Sequence, residues 1–170
     1  PHRDSYCIWR RLQGDSRFVR GKRFRSTRLE KSSEEIKRLI PAFGSARNPV
    51  DVTAEVIAKP EIFRRVLETL AADPDVDGII VMLTTNSDPG ASVIARAILD
   101  VFNVQDKPIV VGHLGADVIA QQAMALYQQE HFPVYQDSPS YELPSEVQGN
   151  ITKKKYIKIL CSMSVDCWAI

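Results

Sequence analysis

Apolar positions recur with two periods through the middle of the chain. Between Pro60 and Ala72, Ile62, Phe63, Val66, Leu67 and Leu70 fall on one wide helical face, and Glu61, Arg64, Arg65 and Glu68 fall on the other. Pro60 suits the first turn of that helix, and Asp73-Pro74 stops it. Ile79-Ile80-Val81-Met82-Leu83 then offers no polar residue to either face, the pattern of a central parallel strand covered on both sides. Asp88-Pro89 reads as a cap and a first-turn proline, opening a second helix with Val93, Ile94, Ala97, Ile98, Val101 and Phe102 inward. Lys107-Pro108 leads into another apolar strand, Ile109-Val110-Val111, with Gly112 to Gly115 as its exit loop. A third helix is predicted from Asp117 to about Glu130, with Ile119, Ala123 and Leu126 inward, and then a short strand, Pro133-Val134-Tyr135.

Upstream, Ser32-Ser33-Glu34-Glu35 opens a short helix. Ser32 or Ser33 can cap it, with Glu35 at capping-box spacing from Ser32. Ile36, Leu39 and Ile40 give its apolar stripe, and Pro41 closes it. Asn48-Pro49-Val50-Asp51-Val52-Thr53 reads as a tight turn beside a short strand, with Asn48 extended because a proline follows it. Strands alternating with helices at these lengths predict a right-handed βαβ series over a parallel sheet. The expected fold class is therefore α/β, a three-layer flavodoxin-like sheet, incomplete in the strands that can be read. The loops at 84–88 and 112–117 leave the same carboxyl edge, where open α/β sheets bind ligands.

Charge divides the chain further. Residues 1–31 hold 10 Lys+Arg against 3 Asp+Glu, whereas residues 32–140 hold 8 against 15, so a basic head precedes an acidic body. The organisation expected is a basic leader at 1–28, disordered or non-native; a folded subdomain at 29–140; and an atypical tail at 141–170. In that tail Tyr156 to Met163 has the makings of a strand, an aggregation hazard if it were an exposed edge. The leader mixes Arg and Lys with Tyr6, Trp9, Phe18 and Phe24, the ingredients of a nucleic-acid arm. No binding-module signature accompanies them, so nucleic acid is not expected as a partner. Cys7, Cys161 and Cys167 are odd in number, confined to the ends and without a second ligand type at metal spacing. Neither a disulfide framework nor a metal site is expected. No apolar run approaches the roughly 18–20 residues of a membrane span. The basic start lacks the apolar core of a signal peptide, so a cytoplasmic location is the default.

Candidate chemistry gathers at the carboxyl edge. Thr84, Thr85, Asn86 and Ser87 can donate hydrogen bonds to a phosphate or acyl phosphate at a helix start, and Asn48 and Asp51 are candidates beside them. The plainer alternative is that Asp88 satisfies the helix amides itself and repels an anion, while Asn48 and Asp51 only fix their turn. No Ser-His-Asp arrangement, Walker loop or dinucleotide fingerprint is present, so no catalytic residue is expected.

A collinear set of segments resembles a known family. Asn48-Pro49-Val50-Asp51, the run from Leu70 through Asp73-Pro74 to Val81, Lys107-Pro108-Ile109-Val110-Val111 and Pro133-Val134-Tyr135 together resemble the middle, succinyl-CoA synthetase-like subdomain of the NDP-forming acyl-CoA synthetases. The likeness covers about Glu30 to Ser140. It implies a structural and phosphate-pocket subdomain, inactive alone, of an acid–thiol ligase that works through acyl phosphate and phosphohistidine. It implies CoA and ATP/ADP with Mg in the complete enzyme and none bound by this chain alone. The implied partners are the CoA-binding, phosphohistidine and ATP-grasp subdomains. Relatives fused to an acetyltransferase domain are protein lysine acetylases, which leaves a non-enzymatic regulatory or interaction module as the alternative. Three features depart from the family: residues 1–28 lack its opening strand and Gly-rich turn, its terminal helix is missing after about Ser138, and His131 replaces a usual glycine. His131 must then tolerate a left-handed cap or alter it. Gly112-His113-Leu114-Gly115-Ala116 resembles the family's phosphohistidine pentapeptide, but lies between two strands of a different subdomain. It is expected to hold a loop histidine without a catalytic role.

Overall fold

The computed structural model describes residues 29, 31–84, 86–114, 116–132, 134–135 and 158–162. In chain order the elements are α1 (Lys31–Leu39), β1 (Val50–Asp51), α2 (Glu55–Ala58), α3 (Pro60–Ala72), β2 (Ile79–Thr84), α4 (Gly90–Phe102), β3 (Ile109–Leu114), α5 (Ala116–Ile119), α6 (Gln121–Gln129), β4 (Val134–Tyr135) and β5 (Lys158–Ser162). The strands form one parallel sheet in the order β1-β5-β2-β3-β4. This is the α/β parallel arrangement of flavodoxin-like folds, with a central pair, β2 and β3, in register from Ile79↔Ile109 to Thr84↔Leu114.

The sheet is central because its middle strands are apolar on both faces. Ile79, Val81, Leu83, Ile109 and Val111 enter the core with helical residues such as Phe63, Leu67, Ile94 and Ile98. On the alternate face Met82 and Val110 are buried as well, as a covered sheet requires. The helices pack side by side in the order α1, α3, α4, α6. At the amino end of the sheet, Phe132 closes this layer, edge-on to Phe102 at 4.8 Å and tilted against Tyr127 at 5.4 Å.

Several boundaries fall where the pattern puts them. Helix α3 covers Pro60–Ala72 and ends at Asp73, whose carboxylate accepts the Asp75 amide at 2.9 Å. His131 takes a positive φ of 50°, so of the two expected outcomes it tolerates the left-handed cap. The corrections come from tertiary contacts. Ser32 does not cap α1; it lies inside the helix, buried, and its hydroxyl donates to Asp73 Oδ2 at 2.5 Å. The third helix is two pieces, α5 and α6, interrupted at Ala120. Ile119 and Val93, expected inward, are exposed by 37% and 39%. Gly112, His113 and Leu114 are not a loop: β3 runs through them, because each pairs with a residue of β2. The strand expected within 156–163 is β5, and it is internal, paired with β1 on one side and β2 on the other. The expectations for residues 1–28, and for 141–170 apart from β5, lie outside the described residues. No helix among the described residues is long and apolar enough to cross a membrane.

Candidate functional site

The carboxyl ends of β1, β2 and β3 carry the polar residues that the core cannot absorb. Asp51 ends β1 and is buried, and its Oδ1 accepts the Thr53 amide at 2.9 Å. Thr53 is itself buried with φ 63°, a left-handed conformation unusual for a β-branched residue. Its hydroxyl accepts the Glu55 amide at 3.3 Å, which turns the chain into α2. Burial pushes the Asp51 carboxyl above its ordinary range, against the pull of the Thr53 hydrogen bond. Asn48 precedes β1, whereas Asp51 closes it, so the strand separates these two candidates. Asp51 thus has a turn to hold.

The second group joins β3 to the loop after β2. His113 is fully buried in β3, and its Nε2 lies 3.0 Å from the main-chain oxygen of Asn86. A carbonyl can only accept, so Nε2 carries the hydrogen and donates. In the neutral ring Nδ1 is then a bare acceptor, and it has no partner. Desolvation lowers the proton affinity of His113; the hydrogen bond to Asn86 and the charge of Asp88 oppose it more weakly. Asn86 is 1% exposed, and neither its side-chain oxygen nor its nitrogen has a partner. Among the described residues four buried side-chain polar atoms lack a hydrogen bond, and three of them sit on this contacting pair; the fourth is the Tyr127 hydroxyl. Buried polar atoms left unpaired cost about 1–3 kcal/mol each, so such a concentration asks for a cause.

Asp88 ties this loop to the next helix. Its amide donates to the Ile119 carbonyl at 3.0 Å. Its Oδ1 accepts the Ser92 hydroxyl at 2.5 Å, and its Oδ2 accepts the Gln122 amide at 2.7 Å. The carboxylate therefore caps α6 and not its own helix, where no side chain makes a cap hydrogen bond. The objection that Asp88 satisfies the first amides of α4 is corrected on this geometry. Its negative charge nevertheless stays beside the loop. Ser87 is exposed, and its carbonyl accepts the Ala91 amide at 2.8 Å to begin α4. Thr84 ends β2 opposite Leu114, and Thr85 lies outside the described residues. Exposed Ile57, Val93, Val118 and Ile119 belong to α2, α4 and α5 near the same end.

The structure thus brings Asn86 together with His113, a residue the sequence pattern set aside as a loop histidine. The readable signals for it are a polar residue directly continuing an apolar strand and the likeness of residues 112–116 to a phosphohistidine pentapeptide, which their place between two strands argues against. Among the described residues no group of three or more His, Cys, Asp or Glu is placed to hold a metal ion. A shallow groove of about 430 Å³ between α1 and α3, lined by Lys31, Glu35, Arg65 and Glu68, lies at the opposite end of the sheet.

Comparison with curated proteins finds the alpha subunit of an ADP-forming acetate–CoA ligase (form II) from Pyrococcus furiosus, 29% identical over 113 residues. The chain is a distant relative of that ligase subunit. The match takes in 63% of this chain and 24% of the subunit, so the chain spans about a quarter of its relative's length. No family model matches the chain. No solved structure matches it. The ligase resemblance read from the ordered motifs agrees with this relative.

Proposed function

We propose that the chain is the flavodoxin-like subdomain of an ADP-forming acyl-CoA synthetase, and that its carboxyl edge forms one wall of the phosphate and acyl pocket. The observation that carries this reading is the buried, unpartnered Asn86 side chain, four residues ahead of α4, in a relative of an acetate–CoA ligase subunit. A helix start favours negative charge, and an amide that buries its donors without a partner suits a bound oxygen. Thr84, Thr85, Asn86 and Ser87 are the residues proposed to meet it, with Asp51 shaping the neighbouring turn and Asn48 the approach to β1. The CoA-binding, phosphohistidine and ATP-grasp subdomains are proposed as partners that bring CoA, the nucleotide with Mg, and the phosphoryl relay. A cytoplasmic setting goes with that chemistry.

On this reading the isolated chain is inactive. The test is acyl-CoA formation from acetate, CoA and ATP by purified chain, alone and after mixing with separately expressed CoA-binding, phosphohistidine and ATP-grasp subdomains. Turnover is expected only in the mixture. Turnover by the chain alone would sink the proposal of an inactive subdomain, and an inactive mixture would favour a regulatory or interaction module.

A further inference from the structure

We propose that His113 and Asn86 together make the pocket selective for an oxyanion that still carries a proton, such as hydrogen phosphate, over one that carries none, such as sulfate. This deepens the phosphate-pocket reading and rests on it. The unpaired set at this point is specific. Its one donor group is the Asn86 side-chain nitrogen, while Asn86 Oδ1 and His113 Nδ1 are both acceptors. A fully ionised oxyanion offers acceptors only. It would satisfy the Asn86 nitrogen and be opposed by the other two atoms. An oxygen that bears hydrogen donates to one acceptor while another oxygen accepts from the amide, so the same groups discriminate by pairing.

Two further observations point in the same direction. Asp88 stands two residues beyond Asn86, and its charge, though shared between Ser92 and Gln122, penalises each additional negative charge nearby. The start of α4, free of a side-chain cap, still favours an anion over a neutral molecule. The combination selects a low-charge, proton-bearing anion. Both residues are buried, and His113 is a positioning residue for the loop that carries Asn86 through its bond to the Asn86 carbonyl.

The experiment uses the full chain, labelled with nitrogen-15, and inorganic phosphate and sulfate as probes at matched ionic strength. The ring nitrogens of His113 and the side-chain amide of Asn86 are followed by NMR. Without ligand, His113 is expected as the Nε2–H tautomer. Phosphate is expected to shift Nδ1 and the Asn86 amide saturably, with sulfate at least about tenfold weaker, roughly the factor that 1.4 kcal/mol of lost pairing produces. Phosphate binding should persist from about pH 6 to about pH 8, because inorganic phosphate keeps at least one proton throughout, and should weaken only as far as the Asp88 charge penalises the added negative charge. His113→Phe should remove most of the preference; if that variant does not fold, the wild-type tautomer and the phosphate-to-sulfate ratio decide. Equal binding of both anions at these residues overturns the selectivity and leaves the phosphate pocket standing. Absence of any shift at Asn86 and His113, or shifts confined to surface lysines, overturns both. A His113 that proves to be the Nδ1–H tautomer overturns the selectivity as well.

Discussion

Because burial holds the His113 imidazole below its ordinary proton affinity, the folded chain resists a proton that the unfolded chain accepts near pH 6.5. The linkage has one sign. Stability contributed by neutral His113 is fully present above about pH 6.5 and is lost as pH falls below it, toward the depressed folded value. Urea denaturation between about pH 7.5 and 5 should therefore show falling stability, and His113→Gln should flatten that part of the profile. An unchanged slope in the variant would assign the acid sensitivity elsewhere. Asp51 acts in the opposite direction at lower pH: its raised carboxyl favours the folded state once protonated. Neither effect is legible in the sequence, because periodicity marks a position as buried but cannot say which polar atoms will find partners there. His113 illustrates the limit. Glycines at 112 and 115 make the segment look like a loop, and only pairing of Gly112 with Met82 and of His113 with Leu83 extends the strand through it.

At the scale of elements, helices whose stripe and stop signals are local were readable. Pro60, the apolar face of α3 and Asp73-Pro74 sit within a few turns of one another, and the helix spans the residues they mark. Where a polar side chain had a choice of partners, local reading picked the nearest. Ser32 and Asp88 both resemble caps of their own helices, yet Ser32 bonds to Asp73, 41 residues away, and Asp88 bonds to the Gln122 amide, 34 residues away. Asp88→Ala should consequently destabilise the chain by about 0.5–2 kcal/mol, the usual cost of a lost cap. The loss should appear as faster amide exchange in the first turn of α6 and not of α4. Asp88→Asn keeps an acceptor for Gln122 and should recover most of the stability. Exchange that speeds up in α4 alone would show that the carboxylate supports its own helix after all.

At the scale of the whole molecule, the described sheet depends on β5. Among the described strands β1 pairs with β5 alone, and β5 also pairs with β2 along its whole length, from Ile79↔Lys158 to Leu83↔Ser162. In a flavodoxin-like order of 2-1-3-4-5 the inner position beside the edge strand is taken by the first strand; here the last of the described strands takes it. An apolar run within 156–163 is readable, but topology set by partners more than 70 residues away leaves no local trace. Leu160→Pro removes an amide from a strand paired on both sides, where proline is not accommodated. It should lower the melting temperature of the entire chain in a single transition. Loss of β5 alone, with β2 and β3 melting as in the unaltered chain, would show that the strand is an accessory.

The same arrangement governs how the protein is made. A chain emerging residue by residue can assemble α3, β2, α4 and β3 from near neighbours as they appear. It cannot join β1 to the sheet until Ser162 has cleared the ribosome, because β5, the strand that links β1 to β2, follows the other four described strands in the chain. Until then the flank of β2 stays open to any strand that passes, and chains released before that point carry it permanently. Folding during synthesis is therefore a race between the arrival of β5 and an encounter with another copy whose β2 is still bare, which makes translation speed between β4 and β5 a determinant of yield.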